Sequence, residues 1–169
     1  MKSITMHMFS CLLILLLSHS YGAQALPSAK DLMMEIKQTG ARNVLDRLWN
    51  DREMFDKLCI KIASGKEEWL EVAAALKPVS DAGSSESLEM SAAAALPNNP
   101  RGVLQLVERG FDIGWVCGEP RFEAPAEETL KHFNRALSAL QKVKDPSLRK
   151  LKQECVGHSA SHCHKVGNI

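Results

Sequence analysis

Motifs that would declare an enzyme are missing from this 169-residue chain. There is no G-x-S-x-G nucleophile elbow, no phosphate-binding P-loop, no H-E-x-x-H helix and no C-x-x-C redox pair. The lack of C-x-x-C argues against a thioredoxin-like oxidoreductase, and nothing else offers a nucleophile with its base. A surplus of one charge is also missing. The chain carries 21 basic and 20 acidic residues, and removal of Lys2 with an N-terminal leader leaves 20 of each. A nucleic-acid binder normally carries a basic excess, so that class is disfavoured, although a local basic patch stays compatible with the balance. Alternating strand patterns are absent too, and beyond the first twenty residues no apolar run is long enough to span a bilayer.

What is present begins with Lys2, the only charge before the run Cys11 to Leu17. Polar Ser18, His19 and Ser20 follow, then the small-residue site Ala23-Gln24-Ala25. A positive start, a short apolar stretch and an A-x-A site make a secretory signal peptide over residues 1–25, cut after Ala25. A membrane anchor is the competing reading, but it needs about 20 apolar residues, and His19 and Ser20 interrupt this run first. Cys11 precedes the apolar run, so it is misplaced for lipid attachment.

Export places the remaining cysteines, Cys59, Cys117, Cys155 and Cys163, in an oxidising compartment where disulfides are the default. Four cysteines allow three pairings. We favour Cys117–Cys155 with Cys59–Cys163, because Cys117 lies in a Gly-rich stretch that can reach across to the last helix.

From residue 26 onward the pattern is helical. Ser28 with Asp31 opens a first helix that ends at Gly40, and Val44, Leu45, Leu48 and Trp49 form the apolar face of a second. Asp51 caps a third with the stripe Met54, Phe55, Leu58, Cys59 and Ile62, stopped by Gly65. Trp69, Leu70, Ala73 and Leu76 mark a fourth. Val79 to Ser85 reads as a polar turn, with Ser85 capping the helix of Leu88, Ala92, Ala95 and Leu96. Asn99-Pro100 starts the next, which ends at Gly110. Phe111 to Pro125 reads as a short helical turn and then a loop. Leu130, Phe133, Leu137, Leu140 and Val143 give the clearest stripe, and Asp145-Pro146 opens a last helix carrying Leu148, Leu151 and Cys155. The expected fold is all-α: about seven short helices in stacked hairpins, an irregular bundle or HEAT-like, stapled by disulfides. A faint echo between Ala41-Arg42-Asn43-Val44-Leu45 and Pro100-Arg101-Gly102-Val103-Leu104 fits such a pair stack. Residues 26–157 are expected to form a single helical domain, with residues 158–169 a flexible, His-rich tail.

That tail holds the densest chemistry. His158 and His162 are four apart, so one helix face could present both, and His164 could complete a site for zinc or copper. Solvated His-rich tails are common, however, and Gly157 and Ser159 weaken the helix such a site needs. The paired carboxylates Glu67/Glu68 and Glu127/Glu128 fall in first helical turns, where capping explains them better than catalysis. His132 reads as a surface or half-buried histidine. Trp49 and Trp69 belong to apolar faces, which leaves Trp115, beside Cys117 and Gly118, as the aromatic expected to meet a partner.

The segments Ile62-Ala63-Ser64-Gly65, Trp69-Leu70, Asp81-Ala82-Gly83, Ala94-Ala95-Leu96, Asn99-Pro100, Val103-Leu104 and Val116-Cys117-Gly118 resemble a group of small exported helical proteins of Gram-negative bacteria. The likeness covers roughly residues 60–120. It implies a helical fold and periplasmic residence, and it carries over no catalytic or binding residue.

The reading that results is a periplasmic or secreted, non-enzymatic helical protein that binds another protein or an envelope component, of inhibitor, immunity or assembly type. It has no stable membrane anchor once the leader is removed. Metal binding or sequestration by the C-terminal His/Cys cluster is the alternative, and a cell-wall hydrolase using acidic residues is a third. N-terminal sequencing of exported protein is expected to read Leu26-Pro27-Ser28. A chain still beginning at Met1 would contradict cleavage.

Overall fold

A computed structural model of the chain describes residues 25–118 and 125–167, with side chains as far as residue 163. The expected leader, except for Ala25, lies outside the described residues. Nine α-helices are present among those residues, with no strand. They are α1 (Ala29–Thr39), α2 (Ala41–Asn50), α3 (Arg52–Ala63), α4 (Glu67–Leu76), α5 (Ala82–Ala95), α6 (Pro100–Glu108), α7 (Ile113–Gly118), α8 (Ala126–Gln141) and α9 (Arg149–Gly167).

Local chemistry sets most of the helix ends. The Ser28 hydroxyl accepts the Asp31 N–H at 3.2 Å to open α1. The Asp51 carboxylate accepts the Met54 N–H at 3.1 Å to open α3, and the Asn99 side-chain oxygen accepts the Gly102 N–H at 2.9 Å to open α6. Each satisfies a donor that has no partner within its own helix. Gly65 ends α3 at φ +74°, and a Cβ there would come within 3.1 Å of Asn98 and 3.2 Å of Asn99. Conformation and space both require glycine at this crossing.

The contacts arrange the helices in two rows. In one, α3 packs on α5, α5 on α7 and α7 on α9. In the other, α1 packs on α4, α4 on α6 and α6 on α8. Pairs such as α3 with α4, α5 with α6 and α8 with α9 join the rows, and α2 bridges α1, α3 and α4. The core between them is filled by residues no more than 1% exposed, including Phe55, Leu58, Leu76, Leu96, Leu104 and Phe133. These are the positions picked out by the 3.6-residue apolar spacing. Every buried side-chain nitrogen and oxygen among the described residues has a hydrogen-bond partner.

Several expectations need correction. Among the described residues there are nine helices rather than about seven: the breaks at Gly40 and at the 3₁₀ turn Lys77–Val79 fall where the sequence pattern puts them, and the short helical turn expected after Phe111 closes into a helix of its own, Ile113–Gly118. Ser85 does not cap α5. That helix begins earlier, with the Asp81 carboxylate accepting the Ser84 N–H at 3.0 Å while the Ser84 hydroxyl accepts the Asp81 N–H at 3.0 Å. Asp145-Pro146 does not open α9 directly. Asp145 accepts from the amide and hydroxyl of Ser147, forming a turn that delays the helix to Arg149.

The tail expected to be flexible beyond Gly157 is helix as far as Gly167. It is held by α7: a disulfide joins Cys117 to Cys155, as favoured from sequence, and the fully buried Ser159 hydroxyl donates to the Cys117 carbonyl at 2.7 Å. The second expected disulfide is not formed, and Cys59 and Cys163 are free thiols. Cys59 is on α3 and Cys163 on α9, at opposite ends of one row with α5 and α7 between them.

The bridge spans 38 residues of sequence. In the chain-entropy model a loop of that size stabilises the fold by about 4 kcal/mol. Replacing Cys117 and Cys155 together with serine is expected to lower the urea-unfolding free energy by roughly that amount. An unchanged midpoint would show that the bridge adds nothing to what α7–α9 packing already provides.

Candidate functional site

Three clusters combine chemistry with a defined position. The first is the pair of C-terminal histidines. His158 and His162 do share one face of α9, as their spacing requires, but that face is turned onto α7. A Cβ on Gly118 would meet the His162 ring at 3.4 Å and the His158 Cβ at 3.8 Å, and one on Gly114 would lie 3.9 Å from the His158 ring. Gly114 and Gly118 are themselves four apart, so two small residues on α7 receive two imidazoles on α9. The His162 ring also lies 5.7 Å from that of Phe133 on α8. Both histidines are half-buried packing groups in this arrangement. The His164 side chain lies outside those described, and among the described residues no three His, Cys, Asp or Glu are grouped to hold a metal ion.

The second cluster is a buried ion pair that helical spacing does not reveal. Lys77, in the 3₁₀ turn, places Nζ 2.5 Å from the Glu89 carboxylate on α5, with the two side chains only 11% and 9% exposed. Nζ also donates to the Ser85 hydroxyl and lies 5.3 Å from the centre of the Phe111 ring. The same Glu89 oxygen accepts the Asp112 N–H at 3.1 Å, and the Asp112 carboxylate accepts the Trp115 N–H at 2.9 Å to start α7. A serine beside a lysine invites comparison with a Ser–Lys catalytic dyad. Here the lysine's donors are committed to Glu89, Ser85 and an aromatic face, so the group acts as a pin between α5 and the start of α7.

The third feature is a surface. A groove of about 780 Å³ follows the outward face of α8, with Pro97 on its far wall. Its α8 lining recurs every turn: Glu127, then Leu130 and Lys131, Asn134 and Arg135, Ser138 and Ala139, and finally Lys142. It shares Ala139 and Lys142 with a second hollow bounded by Pro100 and Arg101. A third hollow continues past Lys144 to Arg149 and Lys152 on α9. Between residues 131 and 152 the chain has seven lysines and arginines and one carboxylate, Asp145. Hydrogen bonds from Ser147, and then Arg101, hold that carboxyl below its usual range. Lys131, Lys142, Lys144, Arg149 and Lys150 are exposed and make no ion pair with any described residue. Lys152 is used differently, donating to the Gln141 and Val143 carbonyls at the end of α8.

The other residues singled out from sequence are dispersed. Glu67 and Glu68 occupy the first turn of α4, and Glu127 and Glu128 that of α8, all exposed. His132 is half-buried, its ring 5.8 Å from that of Phe133. Trp49 packs edge-on to Phe55 at 4.8 Å, and Trp69 is 7% exposed. Trp115, expected to face a partner, is half-buried in α7 and lies outside the groove. Burial pushes the Cys59 thiol up, away from the reactive thiolate form. The α8 surface was missed because the chain as a whole carries a formal net charge of only +1. A windowed charge count over residues 131–152 would have found it.

Compared with protein-family models, curated proteins and solved structures, the chain matches none.

Because the Lys77 and Glu89 side chains are only 11% and 9% exposed, Lys77→Met alone strands a largely buried carboxylate. It is expected to cost about 3–5 kcal/mol in equilibrium unfolding. Replacing both, Lys77→Met with Glu89→Leu, is expected to recover a substantial part of that loss. Equal losses in the single and double variants would contradict the pinning role.

Proposed function

We propose that this is an exported, non-enzymatic binding protein whose working surface is the outer face of α8. One observation supports the reading most strongly. The groove along α8 is lined by Leu130, Ala139 and Pro97 and bordered by Lys131 and Lys142, which make no ion pair with any described residue, whereas the buried polar groups elsewhere among the described residues are satisfied within the fold. An apolar strip edged by unpaired charge is how recognition surfaces are commonly built. The stacked-hairpin reading is consistent with the same function. Two rows of short helices form a rigid frame with α8 closing one row, so its outer face is left uncovered by any described helix.

Export to the periplasm fits this picture. The leader pattern of residues 1–25 and the Cys117–Cys155 bridge are both compatible with an oxidising compartment. No helix among the described residues is long and apolar enough to cross a membrane.

The test is positional. A photo-crosslinking amino acid replaces Ser138 in the groove, or Ile60, an exposed apolar residue on α3. Irradiation of cells is expected to give a discrete adduct from position 138 and none from position 60. No adduct at 138, or the same adducts at both positions, would sink the proposal.

A further inference from the structure

We infer that the partner taken by the α8 face is an acidic amphipathic helix of another protein, laid along the groove with its apolar stripe inward. This rests on the binding role proposed above and adds the chemistry of the occupant.

Shape is the first argument. The lining positions run from Glu127 to Lys142, fifteen residue steps along α8 and its C-cap. At 1.5 Å per residue that is about 22 Å, the length of a four-turn helix. A groove parallel to α8 and open along its length suits a rod.

Backbone chemistry is the second. An extended peptide binds well when a sheet edge offers unpaired N–H and C=O groups, but no strand exists among the described residues to supply that edge. A helical partner satisfies its own backbone and needs only side-chain contact, through residues at i, i+3, i+4 and i+7. Leu130 and Ala139 give such a stripe an apolar floor, with Pro97 across from them.

Charge is the third. Lys131 and Lys142 stand along the groove, and Lys144 and Arg149 continue the positive face beyond it. Cations near the C-terminal end of α8 also offset its dipole, which explains Lys142 and Lys144 in part. That account does not reach Lys131 or Arg135, which stand in the first half and the middle of α8. Arg135 donates to Asn98 at 3.2 Å and so fixes the wall beside Pro97. Among the described lining residues Glu127 is the one carboxylate, at the N-terminal end of α8. The positive face therefore strengthens toward Lys142, and acidic residues of the partner are expected to concentrate over that end.

The test uses the chain from Leu26 onward and two fluorescent sixteen-residue peptides of identical Leu, Glu and Ala composition. In one, the leucines form a single helical stripe flanked by glutamates; in the other, the same residues are scrambled so that the stripe is lost. Vesicles of three parts phosphatidylethanolamine to one part phosphatidylglycerol are measured in parallel. The striped peptide is expected to bind at least about fivefold more tightly than the scrambled one, and more weakly as salt is raised. The triple variant Lys131→Glu, Lys142→Glu, Lys144→Glu changes only exposed, unpaired side chains and is expected to retain the helical circular-dichroism spectrum. It should lose about tenfold or more in affinity for the striped peptide. Equal binding of both peptides would overturn the helical stripe. Unchanged affinity in the triple variant would overturn the charge match. Binding of vesicles but of neither peptide would reassign the face to a lipid surface, and no binding at all would end the proposal. A crosslink at position 138 would survive any of these failures, so the broader binding role is judged separately.

Discussion

The crossing of α7 on α9 is the constraint from which most of the molecule's later architecture follows. Cys117 and Cys155 join the two helices covalently, and the Ser159 hydroxyl reaches back one turn later to the Cys117 carbonyl. Gly114 and Gly118 let the backbones approach where His158 and His162 pack. None of these contacts has a long apolar stripe to rely on. α9 is polar over much of its length, and a helix of such composition gains little from burying one face. The covalent link removes the entropy that would otherwise favour its release. Once α9 is held, it provides the inner support for α8, against which it packs most extensively.

A second pin works at the opposite end of α7. Glu89 accepts from Lys77 and from the Asp112 amide, and Asp112 in turn caps the first turn of α7. A helix of six residues is too short to be stable by propensity alone. It is instead clamped at its start by an ion pair reaching across from α5 and at its end by the disulfide. Buried charge of this kind gives little net stability but penalises other arrangements strongly, because any displacement strands a charge in a poorly solvated site. The proposed working face is thereby presented on a packed support: α7 holds α9, α9 holds α8, and the outer side of α8 is left uncovered by any described helix.

That division of labour accounts for where the polar residues go. His158 and His162 are absorbed by packing, and the serine beside a lysine is absorbed by a structural node. Lys131 and Lys142 along the same face make no ion pair with any described residue. Their significance depends on what surrounds them. Lysines on a solvated helix are ordinary, but Lys131 and Lys142 edge a groove floored by Leu130 and Ala139, and the Pro97 turn closes its far side. Screening at physiological salt restricts their influence to about 8 Å, so only a partner seated in or beside the groove feels the whole row.

The residues by themselves determined the helical class, the caps at Ser28, Asp51 and Asn99, the stops at Gly40, Gly65 and Gly110, and the apolar faces that became the core. These depend on neighbours within about one turn, and short-range steric and hydrogen-bond rules suffice for them. The Cys117–Cys155 pairing was favoured from the reach of a Gly-rich stretch, although two other pairings were equally allowed by count. Only the tertiary structure decided that Cys59 and Cys163 stand at opposite ends of a row, that His158 and His162 face α7, and that Lys77 finds Glu89. It alone brought the Pro97 turn beside α8 to make a groove. Each of these joins residues far apart in sequence, or turns a helix face toward one neighbour rather than another. Such choices are made by the packing of whole helices, and no local pattern encodes them.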